Sequence, residues 1–215
     1  MIELYTAATP NGRKISIALE ELGLPYSVHR IDISKGDQRS AEFTRLSPNQ
    51  KIPAIVDQET GISLFESGAI LLYLASKTGR LLPQGEEAYW ATIQWLMWQK
   101  GGFGPMLGQA LHFLKFNPGK SEYAEARFRD ETARLYGVLD ARLADRPYLA
   151  GEEYTIADIA SWPWAARHEM QFIDLARYPN VLRWYLSIAA RPAVQRGWAV
   201  PIPEEVPMPR GYRDD

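Results

Sequence analysis

Ser47-Pro-Asn-Gln-Lys-Ile-Pro-Ala-Ile-Val-Asp57, followed by Leu64-Phe-Glu-Ser-Gly-Ala-Ile-Leu-Leu-Tyr-Leu74, is the stretch that decides the fold. A turn leads into Ile52-Pro53. The apolar run Ala54-Ile55-Val56 then reads as a short strand, and a second short strand ends near Phe65. Glu66-Ser67 opens an apolar helix. An X-Pro bond directly before a strand is a candidate cis bond, because proline removes most of the penalty against cis. Such a turn aims the Ile52 backbone outward, open to pairing with an extended, peptide-like ligand. The helix start behind it offers unpaired N–H groups that suit a carboxylate. Glu66 adds an acceptor for an ammonium group. Each piece has a plainer reading. Ile-Pro is also an ordinary trans turn, and Glu-Ser is also a cap. Only the combination matches the needs of a short zwitterionic peptide.

Upstream, residues 2–5 make a short strand. After the loop Thr6-Ala-Ala-Thr-Pro-Asn-Gly12, Ile15, Ala18, Leu19 and Leu22 recur at helical spacing. Gly23 stops that helix and Pro25 follows as a breaker. Residues 27–33 read as a strand and 39–46 as a short helix. The order strand, helix, strand, helix, strand, strand, helix is that of a thioredoxin-like domain, here 1–77. Residues 78–87, with two glycines and a proline, form the linker.

Downstream, strand patterns vanish. Residues 88–200 read as an all-α domain. It holds one long, interrupted helix over 88–115, another over 121–144 with Leu135, Val138, Leu139 and Leu143 on one face, and a third over 179–191. Thr155-Ile-Ala-Asp158 is a capping-box signature with Asp in place of Glu. Pro163 kinks or limits the helix that follows it. Residues 201–215, with four prolines, are expected to be extended or disordered.

Composition narrows the function. With 46% apolar and 23% charged residues the chain can bury a sizeable core. A net charge of −2 gives no electrostatic pull toward nucleic acid or anionic membranes, so neither is expected as a partner. There is no run of 18 apolar residues and no basic-then-apolar leader. A cytoplasmic location is expected. The sequence has no cysteine, which removes disulfides, thiolate metal sites and any protein thiol nucleophile. His29, His112 and His168 lack ligand spacing, so no metal is expected. His29 reads as a strand surface residue, and His112 is a candidate to line a cleft. Gly102-Phe-Gly-Pro-Met-Leu-Gly108 has the wrong spacing for a dinucleotide loop and no strand before it. It reads instead as a glycine-softened stretch of helix. Ser67 sits in Glu-Ser-Gly, not in a hydrolase elbow.

Chemistry must therefore come from a bound molecule. A thiol placed at Thr9-Pro-Asn-Gly12 meets the Thr9 hydroxyl, the Asn11 amide and the N–H groups of a helix start. A free thiol has a pKa of about 8.5, so only about 3% is thiolate at pH 7. Lowering that by about two units takes about 2.7 kcal/mol of differential binding and makes most of it thiolate. The other reading of Thr9 and Asn11 is a capping pair for the first helix.

These motifs, with Gly104-Pro-Met-Leu-Gly-Gln109, resemble the bacterial nu-class glutathione transferases, and the resemblance runs along the whole chain. The globular domain of the yeast nitrogen-regulatory prion protein is similar in turn. The resemblance implies a thioredoxin-like α/β domain followed by an all-α domain, in a homodimer. It also implies a glutathione-dependent disulfide-bond reductase acting on small-molecule disulfides without a protein cysteine. By the same resemblance Thr9 bonds the glutathione sulfur and Asn11 orients it. Gln38 and Lys51 meet the glycyl end. The Ile52 backbone, before Pro53, pairs with the cysteinyl residue. Glu66 and Ser67 hold the γ-glutamyl ammonium and carboxylate, and Arg127 reaches the ligand from the other subunit. The catalytic tyrosine of animal transferases is missing: Tyr5 lies in the strand and is expected inside. Conjugation or peroxide reduction in the same site, and a non-catalytic glutathione-binding regulator, are the competing expectations.

Overall fold

Alternation in Ile2-Glu-Leu-Tyr-Thr6 sets the first element: Ile2, Leu4 and Thr6 are buried while Glu3 and Tyr5 face outward. The computed structural model describes residues 1–212, so the end of the 201–215 tail lies outside the described residues. The chain divides into two compact units. The first is Met1–Leu82 with Ala190–Val206, and the second is Pro83–Ala189 with the chain from Pro207 on.

In the first unit, β1 (Ile2–Thr6) pairs in parallel with β2 (Tyr26–Arg30) and antiparallel with β3 (Ala54–Asp57). β4 (Ile62–Phe65) pairs antiparallel with β3, giving the order β2-β1-β3-β4. Helix α1 (Pro10–Leu22) follows β1, α2 (Ala41–Leu46) follows β2, and α3 (Ser67–Thr78) follows β4. This is the thioredoxin-like order expected. Gly23 closes α1 in the left-handed region at φ 67°, a conformation that favours glycine. β2 ends at Arg30 because Asp32 begins a turn, its carboxylate accepting from the Ser34 N–H at 3.1 Å.

The expected apolar face of α1 is buried, but so is nearly all the rest of the helix. Its far side is covered by α9 (Pro192–Trp198), a helix the sequence reading does not contain. Gly197 makes that close approach possible: a Cβ there would lie 2.5 Å from the Ile17 Cα. The stretch 190–206 therefore packs with the first unit, whereas the sequence divides it between the helical domain and the tail. Residues 199–209 form no helix or strand.

The second unit contains α4 (Glu86–Trp98), α5 (Gly104–Ala110), α6 (Glu122–Arg142), α7 (Ile156–Ala165) and α8 (Pro179–Ala189). The long interrupted helix is real, and its interruptions are π-helical turns at Gln99–Phe103 and Leu111–Phe116. Pro105 follows the first of them; it lacks an N–H and its ring crowds the carbonyl four residues back, which favours a local widening. Gly104 and Gly108 face Trp164, with ideal Cβ positions 3.2 and 3.4 Å from its ring system, so these glycines serve close packing. On α6, Leu135 and Leu139 are fully buried, as is Leu143 just past its end, while Val138 is half-buried.

The capping box forms as expected. The Asp158 carboxylate accepts from Thr155 N at 3.0 Å, Leu149 N at 2.9 Å and Trp184 Nε1 at 2.9 Å. Burial pushes the Asp158 carboxyl up to about 6, against the pull of those hydrogen bonds. Pro163 limits α7, which ends two residues later at Ala165.

Candidate functional site

Strand register gathers the candidate residues. Thr6 pairs with Arg30, Tyr5 with Ala54, and Ala54 with Phe65. The segments beginning at 7 and 31, the segment ending at 53 and the segment beginning at 66 therefore all meet the sheet at the same end. Thr9, Asn11, Ile52, Pro53, Glu66 and Ser67 adjoin that end directly. Gln38 and Lys51 belong to the loops that leave or enter it. The starts of α1 and α3 lie there too, and both direct backbone N–H groups out of the sheet end.

Thr9 is the N-cap of α1, and its Oγ1 accepts from Gly12 N at 3.2 Å. The capping reading of Thr9 is thus what the fold uses. A hydroxyl carries two lone pairs and one donor, so the cap uses one lone pair and none of the donor. Asn11 lies inside the first turn of α1, half-buried. No acidic residue occupies that turn. The positive end of the helix keeps its full effect on an anion placed before it.

The Ile52–Pro53 bond is cis. Among the described residues no backbone hydrogen bond occupies the Ile52 N–H or C=O. The loop before it is closed by buried Ser47, whose Oγ donates to Lys51 O at 2.9 Å. Lys51 itself is exposed.

Glu66 precedes α3 with φ 71° and ψ 111°, left-handed backbone that a residue with a Cβ adopts at a cost of order 1–3 kcal/mol. Such strain persists where the surroundings fix it, often at a ligand site. The Glu66 side chain makes no capping bond to α3. Ser67, the first residue of the helix, is buried while Glu66 is exposed. Gln38 lies in a 3-10 turn, Asp37–Arg39. Its Nε2 sits 3.5 Å from Ile33 O, at the limit of a hydrogen bond, so the amide is readily re-aimed.

Arg127 belongs to the second unit. It is exposed on α6 and lines a groove of about 660 Å³ with Met106, Tyr123, Glu131 and Arg134. Arg134 is the main group that holds the Glu131 carboxyl low, and the Arg127 charge adds to it.

Tyr5 departs from expectation. It is not inside: it stands on the outer face of the sheet, stacked on His29 at 4.4 Å between ring centroids. Burial, then the charges of Glu3 and Glu42, push its phenol up, so it stays protonated. His29 is on the strand surface as expected and pairs with Glu3. His112 is exposed, with Asn117 Nδ2 donating to its carbonyl at 3.1 Å. His168 is buried, its Nδ1 3.1 Å from Ile173 O. Among the described residues no cluster of three metal-ligating side chains occurs.

Arg13, fully buried, and the C-terminal segment that packs on α1 carry no local motif in the sequence. The available signal was charge complementarity: Glu20 and Glu21 at the end of α1 meet Arg196 at 2.6 Å and Arg191 at 2.6 Å.

Comparison with known proteins agrees with this layout. Residues 1–76 match the family model of the glutathione S-transferase N-terminal domain, and 103–192 that of the C-terminal domain. The chain is 54% identical over 198 residues to the disulfide-bond oxidoreductase YfcG of Escherichia coli, covering 90% of this chain and 92% of YfcG. A glutathione transferase from Burkholderia graminis, solved with two glutathione molecules per subunit, is 45% identical with a TM-score of 0.88. The alignment covers 93% of this chain and 88% of that one. A glutathione transferase from Pseudomonas putida, solved with one glutathione disulfide per subunit, is 43% identical, also with a TM-score of 0.88, over 93% of this chain and 91% of that one. With a thioredoxin-like sheet, a helical second unit and both family domains matched, the chain belongs to the glutathione S-transferase family.

Proposed function

We propose that this chain reduces small disulfides with glutathione, using bound thiols and no protein cysteine. The observation that carries the reading is the start of α1: a Thr9 hydroxyl with its donor unspent, in a helix turn without acid, in a chain without cysteine. Support comes from the relative YfcG, which is a disulfide-bond oxidoreductase, and from the neighbours that hold two glutathiones or one glutathione disulfide.

In this reading the Thr9 hydroxyl donates to the sulfur, and Asn11 orients it. The Ile52 backbone pairs with the cysteinyl residue beside Pro53. Glu66 accepts from the γ-glutamyl ammonium, while Ser67 and the α3 start hold its carboxylate. Gln38 and Lys51 take the glycyl end. The bound thiolate attacks one sulfur of the substrate disulfide, forms a mixed disulfide and expels a thiolate. A second glutathione thiolate attacks the mixed disulfide, releases the other substrate thiolate and leaves glutathione disulfide. Two thiols have lost two protons and two electrons, and one disulfide has gained them. Helix-terminus N–H groups and one hydroxyl are sufficient sources for a depressed thiol pKa. Nucleophilicity falls less steeply than pKa, so the neutral-pH rate still gains.

The nu class, a homodimer and a cytoplasmic location are part of the same proposal. A dimer is supported by large apolar side chains left exposed: Ile62 and Phe65 in the first unit, Trp90, Met97 and Tyr123 in the second. Arg127 then serves the partner's ligand. Sedimentation as a monomer at micromolar concentration would remove that role. Among the described residues no helix is long and apolar enough to cross a membrane.

The functional test is the rate of glutathione-dependent reduction of 2-hydroxyethyl disulfide, with chlorodinitrobenzene conjugation run beside it. Disulfide reduction that dominates supports the proposal. Dominant conjugation moves the function to ordinary transfer chemistry. Binding of glutathione without either turnover leaves a regulatory protein.

A further inference from the structure

We propose that Arg13 is a positioning residue and that Glu204, in the C-terminal segment, works through it to hold the first turn of α1 in register for the thiol. This rests on the proposed glutathione site at Thr9.

Four contacts among those that pin α1 to residues 190–206 bear on the site, all within the first unit. Arg191 forms a two-pronged bond to Glu21, at 2.6 and 2.8 Å. Arg196 Nε donates to Glu20 at 2.6 Å. Ser16 Oγ donates to the Gly197 carbonyl at 2.6 Å, where the two helices touch. The fourth contact is different in kind. Arg13 is fully buried; its guanidinium lies over the Trp198 ring at 3.7 Å and its Nη2 donates to Glu204. The first two contacts grip the far end of α1 and the third its middle. Arg13 grips the first turn of the helix, since its backbone N–H donates to the Thr9 carbonyl at 3.0 Å.

A buried guanidinium keeps its charge, so it has one well-determined place: against a carboxylate and an aromatic face. Glu204 is 43% exposed in its side chain, on a segment with no regular structure. The carboxylate is therefore the adjustable half of the pair and the guanidinium the fixed half. Losing Glu204 removes a carboxylate from a fully buried cation, and the first turn of α1 shifts or admits water to compensate. The cap at Thr9 is the nearest structure to yield, because Gly12 N, which Thr9 Oγ1 holds, directly precedes Arg13. The C-terminal segment thus acts on the site from behind, without touching the ligand.

The test compares Glu204→Ala and Glu204→Asp with wild type by two readouts. The first is amide hydrogen exchange at Gly12 and Arg13. Glu204→Ala is expected to speed exchange there at least tenfold, with the α1 amides near Glu20 unchanged, and Glu204→Asp to restore most of the protection. This readout needs no ligand, so it stands or falls apart from the glutathione reading. The second is the pH dependence of disulfide reduction. The midpoint is expected to move upward in Glu204→Ala and back in Glu204→Asp. A purely structural loss would lower the amount of active enzyme without moving the midpoint. Unchanged exchange at Gly12 and Arg13 overturns the inference. Faster exchange with an unmoved midpoint overturns its link to the thiol. Wild type that fails to bind glutathione overturns the site reading itself.

Discussion

Two threonines cap two helices in this chain in opposite surroundings. Thr155 caps α7 in the buried interior of the second unit, and Asp158 closes the box from the same first turn. Thr9 caps α1 at an open sheet end, and Pro10-Asn-Gly12 supplies no acid in return. Side-chain chemistry and cap geometry are nearly the same. What differs is the charge in the first turn and the access to it. At α7 the positive helix end is answered by the protein's own carboxylate. At α1 no acidic residue of the first turn answers it. That difference is what the proposed thiol site at Thr9 relies on.

Breaking the buried cap should have the largest effect. Asp158→Ala leaves four buried donors, Leu149 N, Thr155 N, Thr155 Oγ1 and Trp184 Nε1, without their acceptor. At about 1–3 kcal/mol for each unsatisfied group, a loss of about 3–5 kcal/mol is expected. Urea unfolding of the variant against wild type measures it. A loss under about 1 kcal/mol would mean that water replaces the carboxylate and that the comparison is overdrawn.

Removing the open cap should act on chemistry more than on stability. Thr9→Ala is expected to lower disulfide reduction at pH 7 about tenfold or more, since a hydrogen bond to a charged group is worth about 1.5–3 kcal/mol. Its stability loss should stay near 1 kcal/mol. The pH–rate profile decides the cause. A midpoint shifted upward supports the thiol role, and an unchanged midpoint leaves Thr9 as a cap and nothing else.

Asn11→Asp makes the α1 start resemble the α7 start by placing a carboxylate in its first turn. A like charge beside the thiolate should raise the thiol pKa by about one unit, with little change in fold stability. The pH midpoint of disulfide reduction in this variant measures the effect. A midpoint that does not move would show that first-turn charge is irrelevant to the site.

The pH dependence of stability gives the smallest effect. The Asp158 carboxyl is raised from 3.8 to about 6 on folding, so the folded chain binds the extra proton. Its contribution is complete below pH 3.8 and is lost as pH rises through about 6. Asp57 has the opposite sign. Burial alone would raise it, but hydrogen bonds from Tyr73 and Lys77 hold it down to about 2. Its contribution is complete above 3.8 and is lost as pH falls toward 2. The two slopes oppose each other. Asp158→Asn should therefore flatten the Tm-against-pH curve between about pH 4 and 6, leaving the acid limb intact.

Local signals carried most of the fold because they act over a few residues. Gly23, the helical spacing of Ile15, Ala18, Leu19 and Leu22, and Thr155 with Asp158 each specify their element without distant help. The candidate site was legible for a similar reason. The Ile52-Pro53 turn and the Glu66-Ser67 helix start are local motifs, and strand register brings them to one end. The position of Tyr5 was not legible, because alternation alone cannot say which face of β1 a second layer covers. Nor was α9 on α1, since Gly197 and Ile17 are far apart in sequence and only their close approach explains the glycine. The π-helical turns at Gln99–Phe103 and Leu111–Phe116 were visible as an interruption but not as a type.

The most direct measurement is the pKa of the glutathione thiol when bound to wild type, read from thiolate absorbance as pH is varied. A value well below the free thiol's pKa of about 8.5 is predicted, rising toward it in Thr9→Ala. A bound thiol that titrates at its free value would contradict the claim that the start of α1 activates it.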